Sequence, residues 1–183
     1  MQLIGLTGLN ASGKGTAAEY LIEKGFSYYS LSDIVRDYAS EKGLDHSRGN
    51  LITCGNEMRK KFGPSVLAKR ALKKILKDKP SKVVVDSIRN VFEIEELRNN
   101  GNFLLIGIDA PIEIRFERSK KRGRTGFEAS LDEFIKIEQE ENSADPKKQQ
   151  LFDCLKLSDA IIENCGTVEE LKTKLDMILL DNE

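Results

Sequence analysis

The stretch GLNASGKGT, residues 8–16, holds three glycines, a lysine between two of them, and the hydroxyls of Ser12 and Thr16. It follows a short apolar run, QLIGLT (2–7), and leads into KGTAAEYLIEKG (14–25), which has the pattern of a helix. Glycines leave the backbone N–H groups free to surround a phosphate, and a lysine matches its charge. Because the loop lies between a strand and a helix, the helix N-terminus faces the same anion. The stretch therefore predicts a site for the phosphate chain of ATP.

The predicted nucleotide-binding residues are the loop and the first turn of the helix. They are Gly8, Asn10, Ala11, Ser12, Gly13, Lys14, Gly15 and Thr16. In the strict pattern a hydroxyl follows the lysine directly, whereas here Gly15 intervenes and the hydroxyl belongs to Thr16. The G-x-G-x-x-G spacing of dinucleotide-binding proteins does not occur in the loop. A plain glycine turn would give the lysine no reason to lie between glycines.

Composition limits the classes of protein that the chain can belong to. Its 183 residues fit one domain, and a net charge of −1 gives no general attraction to nucleic acid or membrane. The sequence lacks a secretory signal pattern and the ~20-residue apolar run of a membrane span, so we expect a cytoplasmic protein. Cys54, Cys154 and Cys165 lack CxxC spacing and a nearby histidine, which predicts buried or partly buried free thiols.

Short apolar runs alternate with longer amphipathic stretches, which is typical of an α/β protein with a parallel sheet between helical layers. Continuous apolarity in the runs indicates strands buried on both faces. The predicted strands are 2–7, 26–30, 82–88, 102–109 and 159–164. Helix starts are predicted at two S/T-x-x-E patterns, Ser130 with Glu133 and Thr167 with Glu170.

The acidic segment SLDEFIKIEQEE, residues 130–141, departs from this alternation of apolar runs and amphipathic stretches. Alternating charges on a helix usually mark a solvated face. A second interpretation is a mobile lid, covering about residues 122–150, that closes over substrate. Both interpretations remain open from the sequence.

Basic and acidic residues follow the later strands, where they can hold an acceptor for a phosphoryl group. A protein that binds ATP transfers phosphate only if a second substrate is positioned and the charge is neutralised. The planar fork of arginine suits two phosphate oxygens. The segments are SLSDIVRDY (30–38), VVVDSIRN (83–90) and PIEIRFERSKKRGR (111–124), the last with three arginines on one helical face.

These segments resemble those of adenylate kinases. The G-K-G-T loop is similar to theirs, and SLSDIVR resembles their segment whose arginine binds the acceptor phosphate, which implies that role for Arg36. DSIRN resembles their D-G-P-R segment, which implies Asp86 near magnesium and Arg89 on the acceptor, with Ser87 in place of the glycine. The resemblance covers essentially the whole chain and implies the three-layer fold of phosphate-loop (P-loop) NTPases, with strand order 2-3-1-4-5.

The resemblance extends to the lid and the adenine site. Arg118 and Arg122 match the R-x-x-x-R that enters the lid of adenylate kinases, where one arginine covers the adenine and the other binds phosphate. Asn164 lies in a turn whose backbone faces adenine in those enzymes, although a plain strand-to-helix turn would look the same. The further lid arginines of adenylate kinases are Lys147 and Lys148 here.

The chain is thereby identified as a member of the P-loop nucleoside-monophosphate kinase superfamily. It is similar to an adenylate-kinase-related and dephospho-CoA-kinase-like subgroup, some of whose members are fused to deoxycytidylate deaminases. We predict transfer of the γ-phosphoryl group of Mg-ATP to a small nucleotide acceptor, a nucleoside or deoxynucleoside monophosphate. Lys14, Asp33, Arg118 and Arg122 are the predicted catalytic residues, and Thr16 and Asp86 the predicted magnesium ligands.

The role of Asp33 differs between two classes of acceptor, and both roles stay open from the sequence. If the acceptor is a phosphate, Asp33 orients Arg36 or water. If the acceptor is a hydroxyl, as in dephospho-CoA, Asp33 acts as the base. In either case Asp33 is a candidate N-cap of the second helix. A third hypothesis is a sensor that binds nucleotide without turnover. We expect no nucleic-acid or membrane partner, and a monomer or homodimer.

Overall fold

A computed structural model describes residues 1–122 and 130–182 of the chain. The strands are β1 (Gln2–Thr7), β2 (Ser27–Ser30), β3 (Lys82–Asp86), β4 (Asn102–Asp109) and β5 (Ala160–Glu163). The helices are α1 (Lys14–Glu23), α2 (Leu31–Glu41), α3 (Arg48–Phe62), α4 (Val66–Asp78), α5 (Val91–Arg98), α6 (Ile112–Lys121), α7 (Leu131–Glu141), α8 (Leu151–Lys156) and α9 (Val168–Leu180).

The five strands form one parallel sheet in the order β2-β3-β1-β4-β5, as predicted. β1 is central and pairs with β3 on one side and with β4 on the other. Each predicted strand is present, with ends that differ by at most two residues. This is the P-loop NTPase fold that the sequence indicates.

Two apolar layers cover the sheet, because neighbouring residues of a strand point to opposite faces. On β3, Val83 and Val85 pack against α2, α3, α4, α5 and α8, whereas Val84 packs against α1 and α9. The burial of both faces explains why the strands read as continuous apolar runs.

Side-chain caps fix several helix starts. The hydroxyls of Ser130 and Thr167 accept hydrogen bonds from the N–H groups three residues on, which confirms both S/T-x-x-E predictions. Ser30 caps α2 by accepting from the N–H of Ser32, so the N-cap interpretation of Asp33 is wrong. Asp33 lies in the first turn, where a carboxylate interacts favourably with the helix dipole.

The thiol prediction is confirmed in two of three cases. Cys54 and Cys154 are free and buried in the layer that contains α3 and α8, whereas Cys165 is free and exposed. Burial raises the pKa of the Cys154 thiol far above its ordinary value, which makes it unreactive.

Candidate functional site

The loop after β1 has the left-handed backbone that a phosphate-binding nest needs. Gly8, Ala11 and Gly13 have φ values of 148°, 58° and 110°. A Cβ on Gly8 would lie 2.1 Å from the carbonyl oxygen of Ile108. A Cβ on Gly13 would lie 2.2 Å from the side-chain nitrogen of Asn164. Both glycines are therefore required by conformation and by space.

Asn164 holds this loop from the end of β5. Its buried side-chain nitrogen donates a hydrogen bond of 2.8 Å to the carbonyl oxygen of Ser12. The sequence led to an adenine-facing turn or a plain turn at this position. The structure adds a positioning role for the Asn164 side chain that neither interpretation contained.

Lys14 begins α1 and turns back over the loop. Its Nζ donates to the carbonyl oxygens of Gly8 (2.6 Å) and Leu9 (3.1 Å). Burial lowers the pKa of Lys14 to about 8, nearby Arg89 acts in the same direction, and Asp86 opposes them. A bound polyphosphate would place negative charge beside this ammonium group and so favour its charged form.

The loop fits a nucleotide and its magnesium ion by two observations. Ser12 Oγ is buried and finds no hydrogen-bond partner in the described part of the chain. A Cβ on Gly15 would meet no protein atom within 4 Å, so the first turn of α1 is open beside Thr16. Residues 1–122 and 130–182 contain no cluster of three metal-binding side chains. Mg²⁺ in kinases is held by one or two protein oxygens together with substrate phosphates, a role that Thr16 and Asp86 can fill.

Asp86 ends β3 beside this loop and is nearly buried. Its Oδ1 accepts a 2.5 Å hydrogen bond from the backbone N–H of Ser87, and its Oδ2 accepts one of 3.2 Å from the hydroxyl of Tyr28. Burial, and then the charge of Asp86, raise the pKa of Tyr28 to about 12. Ser87 has a φ of 65°, the left-handed region that the glycine of the adenylate kinase segment would adopt without strain.

A cavity of about 500 Å³ opens next to the loop, a volume typical of small-molecule sites. Its apolar wall comes from α2, α3 and α4. Its polar wall consists of Asn10, Ser32, Arg36, His46, Ser47, Arg48, Arg59, Ser87, Arg89, Glu141 and Gln149. The structure therefore brings the predicted acceptor residues Arg36 and Arg89 to one cavity. Asp33 is exposed and does not line this cavity, and its Oδ1 accepts a 2.5 Å hydrogen bond from Arg36.

Arg89 enters the cavity from the end of β3, and both ends of the residue are fixed. Its guanidinium donates to Oε1 of Gln149 (3.1 Å), and its backbone N–H donates to Oε2 of Glu93 (2.9 Å). Burial lowers the pKa of this guanidinium below its ordinary value, and the nearby carboxylates of Glu141 and Asp86 oppose that change. The carbonyl of Arg89 accepts from the N–H of Gln150, which ties this strand end to the segment before α8.

Arg59 is a cavity residue of a different kind. Its side chain is 3% exposed and donates two hydrogen bonds, of 3.0 and 2.7 Å, to the fully buried carboxylate of Glu93. Since Glu93 also accepts from the backbone N–H of Arg89, this ion pair positions Arg89, which is a predicted acceptor-binding residue.

The arginines of α6 divide into two roles. Arg115 is buried and donates to both oxygens of Glu138, to the carbonyl of Ala110 (2.8 Å) and to that of Asn10 (3.4 Å), so its contacts are structural. Arg118 reaches the carbonyl of Ser12 at 3.5 Å, which places it at the phosphate loop. Arg122 is the C-cap of α6 and the last residue described before the gap.

Helix α7 corrects the interpretation of the acidic segment as a solvated face. Glu138 and Glu141 are buried, and each forms an ion pair with an arginine. The predicted lid, residues 122–150, includes residues 123–129, which lie outside the described residues.

Sequence reasoning missed the ion pair between Arg48 and Glu141. Arg48 begins α3, lines the cavity and donates through Nε (2.5 Å) and Nη2 (2.6 Å) to the two oxygens of Glu141. Asn10 of the loop donates to the same carboxylate at 3.2 Å. The partners are 93 and 131 residues apart in the chain, so no local spacing could have revealed them.

A second depression, of about 290 Å³, lies at the other edge of the sheet, beside Gln2 and Lys82 at the amino ends of β1 and β3. It is separate from the phosphate loop. Among the described helices, none combines the length and apolar character needed to cross a membrane.

Fold and site together define a P-loop protein of the kinase type. The chain belongs to the family described as AAA domain, which matches residues 4–141, and to the UPF0200 proteins. A UPF0200 protein of Sulfurisphaera tokodaii is 31% identical over 98% of this chain and 96% of its own length. A UPF0200/UPF0201 protein of Archaeoglobus fulgidus is 36% identical over 98% of this chain, which spans 55% of that longer protein.

Solved structures share the fold. TT1252 from Thermus thermophilus has a TM-score of 0.66 at 20% identity, over 100% of this chain and 98% of its own. Shikimate kinase from Aquifex aeolicus has a TM-score of 0.57 at 17% identity, over 99% and 98%. At these identities the likeness concerns the fold.

Proposed function

We propose that the protein is an ATP-dependent phosphotransferase that moves the γ-phosphoryl group of Mg-ATP to a nucleoside or deoxynucleoside monophosphate. One observation carries the proposal: an arginine-lined cavity adjoins the phosphate loop, and Asn10 belongs to both. A protein that only senses ATP has no need of a second site for an anion. A solved shikimate kinase with the same fold supports the class of reaction.

The residues act by position and charge, with no covalent intermediate. The loop N–H groups and Lys14 hold the phosphates of ATP, and Arg118 and Arg122 add positive charge for the transferring group. Thr16 and Asp86 would hold Mg²⁺, which neutralises phosphate oxygens when bound.

Arg36 and Arg89 hold the acceptor in the cavity. Holding the two substrates in line lowers the barrier to phosphoryl transfer through proximity and orientation.

The position of Asp33 favours a phosphate over a hydroxyl as the acceptor group. A hydroxyl acceptor needs a base within hydrogen-bond reach, whereas an ionised phosphate needs none. Asp33 lies outside the cavity wall and is paired with Arg36. It therefore orients Arg36 and does not serve as the base of the proposed reaction.

Incubation of the protein with Mg-ATP and a panel of acceptors, followed by measurement of ADP, tests the proposal. The panel contains the ribo- and deoxyribonucleoside monophosphates and dephospho-CoA. We expect ADP with one or more monophosphates. ADP formed only with dephospho-CoA would refute the acceptor class, and ADP formed with none of them would favour a sensor.

Two variants assign the sites in the same assay. Lys14→Ala should abolish transfer and leave the thermal unfolding temperature close to that of the wild type. Arg89→Ala should raise KM for the acceptor or lower kcat with little change in ATP affinity. Arg98→Ala, which removes an exposed arginine from an ion pair with Asp159 outside the cavity, is the matched control.

A further inference from the structure

An internal carboxylate already occupies an anion-binding arrangement in the cavity. The Glu141 side chain is only 6% exposed. The guanidinium fork of Arg48 donates to both of its oxygens, and the amide of Asn10 donates to one of them. A two-pronged arginine with an amide donor is the geometry that also binds a phosphate group.

The arginines of the cavity differ in what balances their charge. Arg36 is paired with Asp33, and Arg59 is paired with Glu93. Neither of these two carboxylates lines the cavity. Arg48 is paired with Glu141, which does line the cavity. Among opposite charges, Glu141 also has the largest effect on the pKa of Arg89. One carboxylate at the cavity wall thus neutralises Arg48 and acts on Arg89, two of the cations that face the acceptor space.

We infer that Arg48 and Asn10 form a phosphate subsite that Glu141 fills in the free protein, and that the phosphate of the acceptor replaces the Glu141 carboxylate there. The inference rests on the proposed function and names the residues that bind the phosphate of the acceptor. A phosphate with about two negative charges competes for the fork against one carboxylate charge. A neutral hydroxyl or a singly charged acid gains no such advantage, so Glu141 selects for a phosphate.

The location of the subsite agrees with transfer. Asn10 lies in the phosphate loop and Arg48 at the start of α3, on the acceptor side of the cavity. A phosphate bound between them lies next to the donor loop. The apolar wall formed by Leu31, Val35 and Leu67 leaves room for the organic part of the acceptor.

Calorimetry on the full chain tests the exchange. The protein is saturated with Mg²⁺ and a non-hydrolysable ATP analogue, and then titrated with inorganic phosphate, AMP or acetate. We expect Glu141→Gln to bind phosphate and AMP about tenfold more tightly than wild type, and Arg48→Gln to bind them about tenfold more weakly, because each change alters a charge-assisted contact. Acetate should bind measurably only to Glu141→Gln.

Matched controls separate this effect from a general change of charge. Glu57→Gln removes a carboxylate from α3 that pairs with Lys42 outside the cavity, and Arg98→Gln removes an exposed arginine. Both should keep phosphate affinity within about twofold of wild type. The unfolding temperature of each variant is measured beside the titration.

The direction in which Glu141→Gln changes phosphate affinity decides whether phosphate replaces Glu141. Weaker phosphate binding in this variant would mean that Glu141 only positions Arg48, and would overturn the exchange even if Arg48→Gln failed to fold. Tighter binding without ADP formation from any acceptor would keep the subsite and refute transfer. Turnover of monophosphates with unchanged affinity in Glu141→Gln would keep transfer and refute the subsite.

Discussion

Nucleotide binding is expected to take up a proton, because Lys14 has a lowered pKa in the free protein. Burial lowers this pKa from 10.5 to about 8, and Arg89, Arg122 and Arg115 act in the same direction. A triphosphate beside the ammonium group favours its charged form and raises the pKa again. Since binding favours the protonated lysine, affinity should fall as the pH rises through the pKa of the free protein.

The pKa of about 8 sets the size of the effect. Neutral Lys14 makes up about a tenth of the free protein at pH 7, about half at pH 8 and about nine-tenths at pH 9. Binding should therefore take up about 0.1 proton at pH 7 and about 0.5 proton at pH 8. If the bound lysine stays protonated, the affinity for ATP should weaken about tenfold between pH 7 and pH 9.

Calorimetric titration with Mg-ATP in two buffers of different ionisation enthalpy measures the proton uptake at each pH. Lys14→Met is the control, because it keeps an apolar stem and removes the titrating group. The variant should bind Mg-ATP more weakly than wild type. It should also lack the proton uptake at pH 8 that is due to Lys14. Equal uptake by wild type and Lys14→Met would refute the assignment of the proton to this residue.

Three further substitutions test the site. Gly13→Ala forces a Cβ towards Asn164 at a φ of 110°, so unfolding in urea should show a loss of at least about 1 kcal/mol and nucleotide affinity should drop; unchanged stability would contradict the steric reasoning. Arg59→Ala leaves the carboxylate of Glu93 buried and unpaired, which should cost about 3–5 kcal/mol in the same assay. A much smaller cost would mean that water reaches this carboxylate. Asp33→Asn should keep kcat within about threefold of wild type by the ADP assay, because Asp33 is exposed outside the cavity; a 100-fold loss would restore it as the base.

The fold was predictable because its signals are local. A continuous apolar run predicts a strand buried on both faces, and helices at the expected spacing make the sheet parallel. The misjudged ends have local causes too. β3 ends at Asp86, two residues before the predicted end, because Ser87 adopts a left-handed φ of 65° that leaves the strand.

The position of the candidate site was predictable where the placement of a residue depends on its neighbours in sequence. The loop glycines, Lys14, Arg36 and Arg89 all lie at or just after strand ends, and parallel strands bring those ends to one edge. The pairing of Arg48 with Glu141 joins the start of α3 to the end of α7 across the cavity, two elements that are distant in sequence. Charge alternation in α7 gives the same pattern for a solvated helix and for one with two buried glutamates. Only the tertiary structure separates the two.

Those two glutamates connect α7 to both sides of the loop residue Asn10. Glu138 binds Arg115, whose guanidinium donates to the backbone carbonyl of Asn10, while Glu141 accepts directly from the Asn10 side chain. Because the glutamates are three residues apart on one helix, a movement of α7 must act on both contacts together. A phosphate that replaces Glu141 on Arg48, as we propose, would also take over the hydrogen bond from the Asn10 amide, at the boundary between the loop and the cavity. We therefore expect acceptor binding and the geometry of the donor loop to be coupled through Asn10.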